Sequence, residues 1–118
     1  MTTAQAEVYA ALQATGYSVS YFYPTDEMAL PCVSWYEANN REFAQADGDE
    51  YQTEVEYIVD IWATTPETTA TMGAAVDTQM ATLRMKRTFA YDLFEPDTGI
   101  HHKTMRYRAT IIGNYIMQ

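Results

Sequence analysis

Hydrophobic and polar positions recur along this chain with two different periods, and the places where the period changes mark its elements. In "TTAQAEVYAALQATG", Ala4, Val8, Ala11 and Leu12 stand at helical spacing, Thr2 or Thr3 can cap the start, and Gly16 suits the end. The spacing predicts an amphipathic helix from about Ala4 to Thr15. "YSVSYFY" then sets Tyr17, Val19, Tyr21 and Tyr23 on one side of a strand that ends at Pro24. "PTDEMALP" reads as a loop held between prolines, and "CVSWYE" as a second strand. "ANNREFAQADGDE" has no clear period and carries the turn formers Asn39, Asn40, Asp47 and Gly48, so it predicts a long, mobile connection of the length at which loops often carry function.

"YQTEVEYIVDIWA" alternates for longest: Tyr51, Thr53, Val55, Tyr57, Val59 and Ile61 face one way, and Gln52, Glu54, Glu56, Ile58, Asp60 and Trp62 the other. At about 3.3 Å per residue such a strand spans roughly 43 Å, so it should bend or run beyond its own sheet. A second helix follows. Thr64 and Glu67 match a capping box, Pro66 suits the first turn, and Met72, Val76, Met80 and Leu83 form one apolar stripe. Arg84, Lys86 and Arg87 stand where the helix dipole favours cations. "TFAYDLF" and "KTMRYRATII" are two more alternating runs, joined by the turn "EPDTGI". The order α-β-β-β-α-β-β predicts one α+β domain over residues 1–118, a mostly antiparallel β-sheet with both helices packed on one face.

Composition narrows the class. Hydrophobic residues make up 47% of the 118 and charged residues 19%, a balance that excludes intrinsic disorder. Cys32 is the only cysteine, which excludes an internal disulfide and a multi-cysteine metal site, and its apolar setting "LPCVSW" predicts a buried, inert thiol. The N-terminal "MTTAQAEVYAALQ" lacks the features of a signal peptide, and no apolar run approaches the ~18 residues of a membrane span. The expectation is a soluble protein of a reducing cytoplasm, with no membrane partner. The net charge of -9 argues against nonspecific nucleic-acid binding. Its distribution is uneven. Met1 to Leu83 hold thirteen acids and one base, while Arg84 to Gln118 hold three acids and six bases, so the two parts invite pairing within the fold or between copies.

Candidate chemistry centres on "EPDTGIHHKTMRYR", which holds the only two histidines. On a strand, His101 and His102 point to opposite faces and cannot chelate one ion. His101 with Asp97 across the turn is a candidate acid-base or pH-sensitive contact, against the plainer reading of an exposed hairpin residue. No serine elbow, phosphate-binding loop, dinucleotide fingerprint or zinc-peptidase motif is present. The carboxylate pairs Glu54 with Glu56 and Asp47 with Asp49 fit a solvated face better than a catalytic pair. The expectation is no enzyme, no cofactor and no metal.

Charge complementarity between strands is the more purposeful pattern. Glu54, Glu56 and Asp60 share one face of the long strand, and Arg106 and Arg108 one face of the last. If these strands pair antiparallel, opposite charges contribute roughly 0.2 to 1 kcal/mol per pair. The charges form either a ladder within one chain or contacts with a neighbouring subunit. With Asn39, Asn40, Arg41, Asp47 and Asp49 of the long connection, these residues are the candidate subunit or partner interface.

The segments "LPCVSWYEANN", "VEYIVDIWATTPE" and "YDLFEPDTGIHHKTMRYRATI", in this order and in a chain of this size, resemble the tail-terminator or tail-completion proteins of long-tailed bacteriophages, the head-to-tail joining proteins of siphophages. The resemblance covers most of the chain, and its most specific parts are the hairpin followed by "HHKTMRYR" and the "VDIW" strand leading to a Thr-Pro-Glu helix start. It implies a virion protein made in the bacterial host cytoplasm that assembles as a hexameric ring. It implies as partners the tail tube protein and the head connector or neck proteins, with genomic DNA passing through without specific binding. Two other readings stay open: a head-completion or neck protein that closes the connector, and a small ligand-binding or hydrolase-like α+β domain using His101 and the row Tyr17, Tyr21 and Tyr23.

Overall fold

A computed structural model describes residues 3–24, 29–46, 50–112 and 115–117. In chain order the elements are α1 (Thr3–Gln13), β1 (Ser18–Tyr21), β2 (Cys32–Ala46), β3 (Glu50–Ala63), α2 (Pro66–Thr82), β4 (Lys86–Glu95), β5 (Ile100–Ile112) and β6 (Tyr115–Met117). The strands form one sheet in the order β1-β2-β3-β5-β4, with β6 also on β5. Only β1 and β2 run parallel; every other pairing is antiparallel. The α+β architecture follows the expected order, with one short strand added at the end.

Alternation along the long strands decides where the core lies. Val55, Tyr57, Val59 and Ile61 of β3 turn their side chains to the face that also carries Val33 and Trp35 of β2 and Met105 and Tyr107 of β5. Both helices cover that face. Val8 and Leu12 of α1 and Met72, Val76 and Met80 of α2 are fully buried against it. β3 has 14 residues, about 46 Å of extended chain, close to the 54 Å long axis of the molecule. It stays paired with β2 from Glu50 to Trp62 and with β5 from Gln52 to Ala63, so only its first two residues run beyond β5.

The expected long connection after "CVSWYE" is instead strand. Asn39 to Ala46 continue β2 and pair with Glu56 to Glu50 of β3. Register shifts between Glu37 and Asn39 and between Glu42 and Ala44 break the alternation twice, which hides a strand from a period-two reading. Asp47, Gly48 and Asp49 lie outside the described residues.

Both ends of α2 also differ from expectation. Its cap is Thr65, whose hydroxyl accepts from the Thr68 N–H at 3.1 Å, rather than the Thr64 and Glu67 box. Pro66 disfavours helical backbone in the residue before it, and Thr65 at φ -134° and ψ 151° therefore has the extended shape a cap needs. At the other end the helix stops at Thr82 with Leu83 as cap, and Arg84 turns left-handed at φ 60°. Arg84 thus stands past the last turn, and Lys86 and Arg87 open β4.

Candidate interaction surface

The face of the sheet turned away from the helices carries Ser34 of β2, Glu54, Glu56, Ile58, Asp60 and Trp62 of β3, and His102, Thr104, Arg106 and Arg108 of β5. Its centre is a closed polar knot. Asp60 is buried, accepts from the Thr104 hydroxyl at 2.7 Å, and lies 2.8 Å from Nε2 of His102. A carboxylate only accepts, so this contact places the imidazole proton on Nε2. The His102 ring stacks on Trp62 at 3.8 Å between centroids, and the Trp62 indole N–H donates to the Ser34 hydroxyl at 3.0 Å. The knot ties three strands together.

A serine or threonine beside a histidine and an aspartate invites comparison with a nucleophilic triad. Such a relay needs the base to hold the acid with one ring nitrogen and the nucleophile with the other. Here Asp60 and the Thr104 hydroxyl, 3.2 Å away, both meet Nε2, and the Ser34 hydroxyl is engaged by Trp62. The set is built for cohesion. Among the described residues no cluster of three or more His, Cys, Asp or Glu could hold a metal ion. Cys32 is fully buried, and burial pushes its thiol up. No helix of the described residues is long and apolar enough to cross a membrane.

The two histidines do part to opposite faces. His101 packs against Phe94 at 4.7 Å between rings, while His102 joins the knot, the contact that the sequence reading had not singled out. Among the described residues His101 forms no ion pair with Asp97. β2 and β3 stand between β1 and β5, about 14 Å at the usual strand spacing, so His101 stands well away from the tyrosines of the β1 segment. That segment is also shorter than its alternation suggests. Phe22 leaves the strand at φ 75°, a strained shape for an aromatic residue. It is held by its N–H to the Trp35 carbonyl at 2.6 Å and by stacking on Tyr36.

One pair across the two strands forms within the chain. Glu56 faces Arg108 in register, and its carboxylate lies 3.5 Å from the Arg106 guanidinium, which also sits over the Phe89 ring at 5.0 Å. Arg41 reaches Glu54 at 3.9 Å. Asp60, expected among the surface charges, is committed to His102 and Thr104 instead. Asn39 is half-buried and Asn40 and Arg41 are exposed, all three on β2. Arg108 is different. With Arg84 and Lys86 it lines an open cleft of about 540 Å³ floored by Met85 and Ala109, and among the described residues none of these three cations has an ion pair.

β4 is the barest element. All ten of its residues are exposed, although Phe89, Tyr91, Leu93 and Phe94 are large and apolar. Its inner side pairs with β5 and its outer side with nothing among the described residues. A long apolar edge of this kind is a template for another strand.

On the helix side, the Tyr107 hydroxyl donates to Asp77, which also pairs with Arg87 at 2.9 Å. Burial, then the bond to Asp77, pushes the Tyr107 phenol well above its ordinary value. The folded state therefore holds the proton that the unfolded state releases, and this stabilisation is complete below about pH 10 and lost as pH rises further. Tyr107→Phe should cost about 1 kcal/mol at neutral pH. In denaturant titrations from pH 8 to 11.5, it should also flatten the alkaline fall in stability, of which Tyr107 supplies up to about 1.4 kcal/mol per pH unit.

Residues 3–112 match the family model described as tail completion protein gp17. No curated protein matches the sequence. Among solved structures, a chain from the "Virion of native gene transfer agent (GTA) particle" is similar in fold, with a TM-score of 0.63 at 18% identity over 92% of this chain and 94% of that one. The family match spans both helices and the sheet through the end of β5, and the protein belongs to the tail completion protein gp17 family.

Proposed function

We propose that this protein is a structural component of a phage-type virion that caps the completed tail tube as a ring and forms the junction to the head connector. The observation that carries the reading is the family match over residues 3–112. The similar fold of a chain from a gene transfer agent virion supports it. The chemistry fits a scaffold rather than a catalyst: His102 and Asp60 are used up in a knot, while apolar and charged surface is left without a partner among the described residues. Six copies is the number that the resemblance to tail terminators implies. An acidic chain of net charge -9 suits a channel through which DNA slides, because like charge disfavours lasting phosphate contact.

A tail-side and a head-side role separate in one binding experiment. Purified protein is added to isolated tail tubes and, separately, to filled heads without tails, and bound protein is counted after sedimentation. The tail-completion reading expects saturable binding at tube ends and recovery of joined particles once both parts are mixed. Binding to heads alone would assign the protein to closing the connector, and binding to neither would remove it from the junction.

A further inference from the structure

We infer that the outer edge of β4 is the docking site for the edge of the outer part of β2 in a second copy of the chain, so that neighbouring sheets join head to tail. The inference rests on the ring reading above and supplies its contact. Each end of the sheet order offers a free backbone edge. At one end is β4, ten residues with no outer partner among the described residues and four large apolar side chains in the open. At the other, β1 pairs with only four of the fifteen β2 residues, Cys32 to Trp35, and among the described residues nothing pairs with the eleven from Tyr36 to Ala46 on that side. The two edges are nearly equal in length.

Their directions also agree. Three successive antiparallel pairings, β2 with β3, β3 with β5 and β5 with β4, make β4 run opposite to β2. A copy set beside the first without being turned over therefore brings β4 and β2 together as an antiparallel pair, which satisfies the free N–H and C=O groups of both. Tyr36 stands level with Phe89 through Ile58 and Arg106, so the free part of β2 lies higher along the strand direction than β4. Neighbours must step by about 20 Å, a stagger that closed sheets absorb by tilting their strands. Such a contact uses two different patches, and repeated by rotation it closes a ring.

Charge favours the same match. Antiparallel docking carries the start of β4, with the unpaired cations Arg84, Lys86 and Arg108 beside it, toward the outer end of β2, where exposed Glu42 also has no ion pair among the described residues. With Asn39 set opposite Leu93, Glu42 faces the Phe89 and Ala90 level, about 10 to 13 Å from Lys86, so the joint brings opposite charges toward each other as a general attraction between the two edges rather than as a specific ion pair.

Disulfide capture tests the joint. Asn39 and Leu93 both point to the face away from the helices, and in one chain they stand three strands and about six residues apart, roughly 24 Å, beyond disulfide reach. Asn39→Cys, Leu93→Cys and the double variant are made in the full chain, checked for unchanged melting, and oxidised at high concentration. The double variant should give a ladder of covalent oligomers. An equal mixture of the single variants should give dimers that contain one copy of each. Absence of cross-links, or efficient self-cross-linking of Leu93→Cys alone, would overturn the inference. If cross-links fail while the protein still caps tail tubes, this joint is wrong and the functional reading stands; if tube binding itself fails, the functional reading falls.

Discussion

Trp35→Ala will lower the stability of the folded chain by about 3 to 5 kcal/mol, while Trp35→Phe will cost far less. Trp35 is fully buried at the crossing of α1, β1 and the central strands, with its ring 6.2 Å from Tyr9, 4.8 Å from Tyr21 and 6.0 Å from Tyr57. Truncation to alanine opens a cavity where three aromatic neighbours meet. Its indole N–H, however, is buried with no hydrogen-bond partner among the described residues. Burying such a donor costs about 1 to 3 kcal/mol, and phenylalanine does not carry it. The smaller ring loses contact area but also removes the orphan donor, so about 1 kcal/mol is expected for Trp35→Phe. Equal losses for the two variants in urea melts would show that the indole N–H has a partner.

Asp60→Ala is the second large effect, at about 3 kcal/mol, because it strips an acceptor from Thr104 and His102 together in a place water barely reaches. Asp60→Asn keeps one oxygen for the Thr104 hydroxyl and should lose about half as much. The double change Asp60→Ala with His102→Ala should cost clearly less than the sum of its parts, since each single change already breaks the same contact. A purely additive result in denaturant melts would mean that the His102 contact contributes nothing. All three variants leave β4 and the outer part of β2 untouched, so at temperatures where they stay folded they should still dock onto tubes.

Much of the fold was legible because periodicity is a direct image of burial. The alternation of β3 names its buried side chains, and the stripe of Met72, Val76 and Met80 names the inner face of α2. The failures have physical causes. Two bulges disguised the outer part of β2 as loop, although its polar residues Asn39, Asn40 and Arg41 sit in a paired strand. The extended shape that Pro66 imposes moved the helix cap from Thr64 to Thr65. Phe22 ended β1 early through a backbone shape that no composition signals.

The interaction surface was legible in part. Opposite charges on β3 and the last long strand could be matched from alternation, and Glu56 and Arg106 do meet. That Asp60 turns inward to His102 could not be seen, because the contact joins residues 42 apart through a register only the folded sheet fixes. The bare state of β4 was equally hidden: an alternating strand rich in aromatic residues reads as half-buried, and only the sheet order makes it an edge.

In the proposed function the protein caps a completed tail and lets a head join it. Electron microscopy of particles made with this gene disrupted, with and without purified protein added back, measures that most directly. The expected result is filled heads apart from uncapped tails of uneven length, restored to joined particles by the wild-type chain. Normal joined particles in the absence of the protein would contradict it.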